Sequence, residues 1–398
     1  MFVEETYKDT SKKLEVKLTR NDETLLTSWQ ISDFISQLSK YYYKNELINT
    51  ISLALKHGVS PKEIIIFEES FGINNSYSNI NGALDFTNVT DVKTFYHLGE
   101  PISMFPNPKI KLINLIFKYF RRMNEILGRY RFPRLNKNNL QYYYTMIRDN
   151  LPPQDIIKEI ENLANEIVKE TASKNGDIQS FKDRVDRLNK VTLERFSELE
   201  RDSDTLDILI SSLVANDFDI FQDSKYQQLE RKYFNEFFTK FENLKRPIIG
   251  IFNVDTQTVQ IFCEGFMNNN KHEPSRFLDL KSISHNSPYV AIFTIGVPIV
   301  VSVISVLNFA LINRSLNKEM DSSLQELEEA EERVSDTIRR LESLTEIEEV
   351  KAVEEIPQEY VRRNIKEIRE QNGWRFQEPI ERYGFINAKI EVNVVDRN

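Results

Sequence analysis

The chain has 398 residues, 40% hydrophobic and 28% charged, with one cysteine, four histidines and a formal net charge of −9. The single cysteine, Cys263, excludes an internal disulfide and any multi-cysteine metal site. His57, His97, His272 and His285 stand too far apart for a histidine-based zinc spacing, and the low count of 11 glycines and 13 prolines argues against disorder and against a loop-heavy β fold.

Met1–Arg20 contains no apolar core and no small-residue cleavage site, so no signal peptide is expected and the N-terminal region is expected to stay cytoplasmic. Leu14–Leu18 alternates as L-E-V-K-L, the pattern of a half-buried strand. Thr27 or Ser28 caps a predicted helix from Trp29 to His57, along which Ile31, Phe34, Ile35, Leu38, Tyr41, Tyr42, Leu47, Ile48, Ile51 and Leu55 recur at helical spacing. Gly58 and Pro61 end it. Ile64–Phe67 reads as a short buried strand, and Gly72–Pro108, rich in Asn, Ser, Gly and Pro, as loop.

Lys109–Leu127 is an amphipathic helix, with Leu112, Ile113, Ile116, Phe120, Met123 and Leu127 on one face. Further helices are expected over Gln154–Lys174, Asp177–Leu199, Asp202–Phe221 and Lys225–Leu244. Beyond Pro247, Ile248–Val254 and Thr258–Phe262 form a predicted hairpin, and Phe277–Ser284 alternates as another strand. Strands from both ends of the region imply an α+β class: a mostly helical domain with a small sheet over residues 1–288, a helical insert near 109–246, and hairpin and strand at 247–284.

Tyr289–Ile312 then runs 24 residues without a charge. As a helix it would extend roughly 36 Å, against about 30 Å of hydrocarbon. This predicts a single transmembrane helix from Tyr289 to Ile312, kinked at Gly296 and Pro298 and with Val301 and Ile304 near its centre, and hence a lipid bilayer as partner and a single-pass protein of the cell membrane. The alternative is a buried strand over Tyr289–Ile295 followed by a core helix, which the abundance of β-branched residues favours.

Residues 313–371 read as an acidic helical or coiled-coil segment, and 372–398 as a short tail with a strand at Ala388–Val395. Glu319–Glu359 carries 15 acidic and 4 basic residues. Met320, Leu324, Leu327, Val334, Ile338 and Leu341 fit a and d heptad positions with Glu331 as a charged interruption, so self-association or protein docking through 316–345 is expected.

The opposite pole is Lys109–Arg148, with ten basic residues and one acid, Glu125. Lys109, Lys111, Lys118, Arg121, Arg122, Arg129, Arg131 and Arg134 make its basic patch, interleaved with Phe117, Tyr119, Phe120, Tyr130, Phe132 and Tyr142–Tyr144. Such a pattern suits an anionic lipid surface or, less favoured, nucleic acid; a solvated helix face explains it equally well. Glu68, Glu69, Asp85, Asp91 and Lys93 form a short nuclease-like set, too common by chance to carry much. Asp202, Asp204 and Asp207 lack the glycine and closing glutamate of a calcium loop. No P-loop, dinucleotide fingerprint, nucleophile elbow or zincin motif occurs, so no catalytic residue, metal ligand or cofactor is assigned. The expectation is a non-enzymatic membrane protein with a sensing or binding N-terminal domain, one concrete version being a membrane effector of bacterial anti-phage defence. The alternative is a soluble binding or scaffold protein whose apolar run is core, and the third reading is a metal-dependent nuclease.

Overall fold

A computed structural model describes residues 12–20, 26–56, 58–70, 83–171, 178–215, 219, 223–253, 256–261, 279–284, 289–296, 358–385 and 387–394. In chain order its elements are β1 (Lys12–Arg20), α1 (Ser28–Lys56), β2 (Ile64–Ser70), β3 (Ala83–Asp85), α2 (Val89–His97), β4 (Ile102–Ser103), α3 (Pro108–Arg129), α4 (Asn139–Arg148), α5 (Pro153–Thr171), α6 (Ile178–Val214), α7 (Ser224–Leu229), a π-helical turn (Glu230–Phe234), α8 (Asn235–Asn243), β5 (Pro247–Asn253), β6 (Thr258–Ile261), β7 (Asp279–Ser284), β8 (Tyr289–Gly296), α9 (Gln358–Arg382) and β9 (Asn387–Val394). They fall into two compact units, the described residues of the first lying within 1–49, 270–355 and 365–398, those of the second within 50–269 and 356–364. Mostly helical, with antiparallel strands, the architecture is α+β as expected.

The first unit is built on a four-stranded antiparallel sheet ordered β7-β8-β1-β9. Register explains it. Leu14, Val16 and Leu18 of β1 stand opposite Ile295, Phe293 and Ala291 of β8, and opposite Val392, Ile390 and Ala388 of β9. One face is thus an apolar block three strands wide, and a one-residue slip would turn it over. Leu18 is buried on this face. The first half of α1 and most of α9 lie antiparallel in the same unit, because Tyr383 donates to Asp33 at 2.6 Å at one end while Arg369 reaches Asn49 at 3.4 Å at the other. Phe34 stacks on Phe385 with centroids 4.5 Å apart and meets Tyr383 edge-on at 5.6 Å. Gly384, at φ +73°, ends α9 in the left-handed conformation, with Phe385 N–H bonding to the Ile380 carbonyl and Gly384 N–H to that of Glu381.

This sheet corrects the expectation of a transmembrane helix beginning at Tyr289. Tyr289–Gly296 is an extended strand paired on both sides, with β1 and with β7, rather than the first half of a spanning helix. Among the described residues no helix is long and apolar enough to cross a membrane. The physical reason is that Tyr289–Gly296 has no charge and no regular polar alternation, and periodicity alone cannot tell such an apolar run from part of a helix. Pro298, Val301, Ile304 and Ile312, and the heptad segment 316–345, lie outside the described residues.

The second unit holds a five-stranded antiparallel sheet ordered β3-β6-β5-β2-β4. Central β5 carries Gly250, where an added Cβ would sit 2.9 Å from the Gln260 carbonyl oxygen and 3.1 Å from Val259. Phe67, Phe86, Phe95, Phe117, Tyr144 and Phe252 fill the core beside the sheet, with Phe95 meeting Phe67 edge-on at 5.3 Å and Phe86 stacking on Tyr144 at 4.5 Å. Three helices are tied by one polar chain: Tyr119 of α3 donates to Asn189 of α6 at 2.5 Å, and Asn189 donates to Glu161 of α5 at 2.8 Å. Burial pushes the Tyr119 phenol far above its ordinary range, so it stays a donor. Tyr360 packs with Phe105, Leu209, Leu213, Leu229, Tyr233 and Phe234 in a separate cluster.

Several segments differ from expectation. The loop predicted over Gly72–Pro108 contains β3, α2 and β4, and Asn139–Arg148, to which no element was assigned, is helix α4. The helices predicted over Asp177–Leu199 and Asp202–Phe221 are one, α6, ending at Val214, because no breaker separates them. Lys225–Leu244 is divided by the π-helical turn. The helical segment expected to end at residue 371 continues, as α9, to Arg382.

Candidate functional site: a basic turn after helix α3

Helix α3 begins with Asn107, whose side chain accepts the backbone N–H groups of Lys109 at 3.0 Å and Ile110 at 3.3 Å, and with Pro108 in its first turn. Its buried face holds Ile113, Ile116, Phe120, Met123 and Leu127 as the spacing requires. Leu112, placed on that face by periodicity, is only half-buried.

The expected basic patch divides in two along this helix. Four of the five cations from Lys109 to Arg122 are engaged. Lys111 pairs with Glu236 at 2.7 Å, Lys118 with Glu100 at 2.8 Å, and Arg122 with Glu125 at 2.8 Å. Arg121 lies 3.9 Å from Glu100, donates to the Tyr96 carbonyl at 3.3 Å and covers the Tyr96 ring at 5.1 Å. Lys109 is half-buried at the start of the helix. The second half is different: Arg129, Arg131 and Arg134 are exposed and have no ion-pair partner among the described residues.

These three arginines stand on a turn held from below. Tyr130 N–H bonds to the Ile126 carbonyl, Arg131 N–H to Gly128 at 3.1 Å and Phe132 N–H to Leu127 at 2.9 Å. Arg131 takes φ +60°, a left-handed conformation rare for a side chain of its size. Phe132 and Leu135 are buried, at 5% and 3% exposure. Phe132 and Tyr130 meet the Phe181 ring of α6 edge-on at 5.7 and 6.2 Å, and the Tyr130 hydroxyl donates to the Ser180 carbonyl. Buried Asn124 accepts the Leu135 N–H at 2.7 Å. Apolar side chains therefore point in and cations out.

Lys137 closes the turn. Its ammonium lies 3.1 Å from His97 Nε2 and 6.0 Å from the Tyr96 ring. Lysine has no acceptor, so Nε2 accepts and the imidazole proton sits on Nδ1. Desolvation, then the charges of Lys137 and Arg121, hold the His97 pKa below its usual range. Lys137, His97, Asn124 and Phe181 were not among the predicted site residues; the one sequence signal was a polar Asn124 on the apolar stripe of α3.

Of the nuclease-like set, the side chains of Glu68 and Glu69 lie outside what the structure describes, and Asp85 and Asp91 are engaged locally. Asp85 accepts the N–H and hydroxyl of Thr87 at 2.8 and 2.7 Å, which lowers its pKa, and Asp91 accepts the Asp85 N–H at 3.1 Å. Both carboxylates fix the β3–α2 turn. Asp202 bonds with Lys232 and Tyr233 at 2.8 and 2.6 Å. Among the described residues no group of His, Cys, Asp and Glu is placed to hold a metal ion. No family model, curated protein or solved structure matches this chain.

Proposed function

We propose that this chain is a non-catalytic binding protein whose second unit docks a phosphate-bearing polymer, a nucleic-acid backbone, on the turn Arg129–Lys137. The observation that carries the reading is the segregation of charge: Lys111, Lys118, Arg121 and Arg122 of α3 are paired or stacked, while Arg129, Arg131 and Arg134 are exposed and unpaired among the described residues on a turn with a buried apolar underside. Guanidinium groups match phosphate oxygens bidentately, and a preformed turn loses little entropy on binding. Membrane docking through the same turn is less well served, because interfacial binding relies on exposed apolar groups and Phe132 and Leu135 are buried.

The membrane-effector reading rested on the spanning helix and loses that support at Tyr289–Gly296. A role in anti-phage defence stands apart from it and calls for its own test. The binding reading is tested with a labelled single-stranded oligonucleotide. Arg131→Gln combined with Arg134→Gln is expected to weaken binding about tenfold or more, whereas Arg122→Gln, already paired with Glu125, leaves it nearly unchanged. Equal loss in both variants, or tighter binding to anionic vesicles than to the oligonucleotide, overturns it.

A further inference from the structure

We propose that two copies of this chain pair antiparallel through β9, joining their four-stranded sheets into one. Strand β9 is an edge: among the described residues it pairs with β1 alone. The two edges of the sheet differ in how they are guarded. At the opposite edge β7 spans Asp279–Ser284 and its register with β8 shifts between Leu280 and Ser282, the sort of irregularity that blunts an edge. Strand β9 runs Asn387–Val394 in unbroken register with β1 and contains neither proline nor glycine. A straight, regular edge of that kind is a template for another strand.

The sequence of the edge says which strand. Within its own sheet β9 sets like charges opposite each other, Lys389 facing Lys17 and Glu391 facing Glu15, an arrangement that costs stability. The segment N-A-K-I-E-V-N-V is complementary to itself. With a two-fold axis at Ile390, antiparallel pairing sets Lys389 opposite Glu391 of the other copy, and Glu391 opposite its Lys389. Asn387 meets Asn393, and Ala388 meets Val392. Moving the axis to Lys389 or to Glu391 sets like charges opposite each other, so charge selects one register. The pairing also keeps Ala388, Ile390 and Val392 on one face, extending the apolar block of Leu14, Val16 and Leu18 across the junction.

Sedimentation velocity of the full chain over a range of concentrations tests this. Wild type is expected to reach a dimer. Lys389→Glu alone and Glu391→Lys alone each set like charges opposite one another at two symmetric places and should raise the dimer dissociation constant about tenfold or more. At concentrations low enough that wild type is itself monomeric, neither should lower the melting temperature, since each relieves a like-charge pair with Lys17 or Glu15. Mixing the two single variants restores opposite charges at both places and should form a mixed dimer that neither forms alone. A monomeric wild type overturns the proposal. So does a dimer that both variants retain, as association through 316–345 would give, and so does a mixture that stays monomeric.

Discussion

Leu135 donates its backbone N–H to the side-chain oxygen of Asn124 at 2.7 Å, and both residues are buried. The bond joins the turn to the helix that precedes it, so the exposed arginines between them have fixed starting points. Asn124→Leu fits an apolar stripe but leaves the Leu135 N–H without an acceptor, at a cost of about 1–3 kcal/mol. A melting point lowered by a few degrees, together with weaker oligonucleotide binding, is expected by calorimetry and anisotropy. Unchanged binding in a destabilised variant would mean that the turn need not be preformed.

Two glycines give opposite outcomes. At Gly250 in β5 an added methyl meets backbone, the Gln260 oxygen at 2.9 Å, which cannot move without shifting β6. Gly250→Ala should therefore destabilise the second unit. Gly373 lies inside α9 with nothing within 4 Å of an added Cβ, so Gly373→Ala should stabilise by about 0.5–1 kcal/mol through helix propensity. Urea titration of each variant reads the sign directly.

The pH dependence follows from His97, whose pKa is lowered first by desolvation and then by Lys137 and Arg121. A group with a depressed folded pKa contributes stability that is present above its ordinary value of 6.5 and is lost as pH falls through the lowered folded value. Protonation also ends acceptance from Lys137. Wild type should therefore lose melting temperature between about pH 7 and pH 5, and His97→Gln, which cannot titrate, should lose less. Parallel curves for the two proteins would remove His97 from the explanation.

Strand β8 is tested by Ile292→Pro. Ile292 stands opposite Lys17 of β1 and Ser282 of β7, and proline in a central strand removes a ladder donor and clashes. The first unit should unfold or fail to fold, as read by circular dichroism and limited proteolysis. A membrane helix tolerates proline in its first third, so an unperturbed variant would contradict the strand.

Sequence alone revealed the elements with a clean period. The alternation of Leu14–Leu18 located β1, and the apolar spacing from Leu112 to Leu127 located α3. Strand β8 was hidden because Tyr289–Gly296 carries no charge and no regular polar alternation, and it opens a longer uncharged run that periodicity alone cannot tell from helix. Helix α4 was hidden by length, since Asn139–Arg148 gives fewer than three turns of periodicity. The basic patch was visible as composition, but its division was not: Glu236 and Glu100, which neutralise Lys111 and Lys118, are brought there by the fold from 125 and 18 residues away. Charge counting sees the cations and not their partners.

The central claim is that unpaired arginines on the α3 turn bind phosphates. Its most direct measurement is the salt dependence of binding to a single-stranded oligonucleotide, for wild type and for a variant with Arg129, Arg131 and Arg134 all changed to Gln. Each phosphate contact contributes about −0.7 to the slope of log affinity against log salt on a single strand. The expected result is a clear negative slope for wild type, made shallower by about 2 in the variant. Equal slopes, or no oligonucleotide binding by wild type at low salt, would contradict the claim.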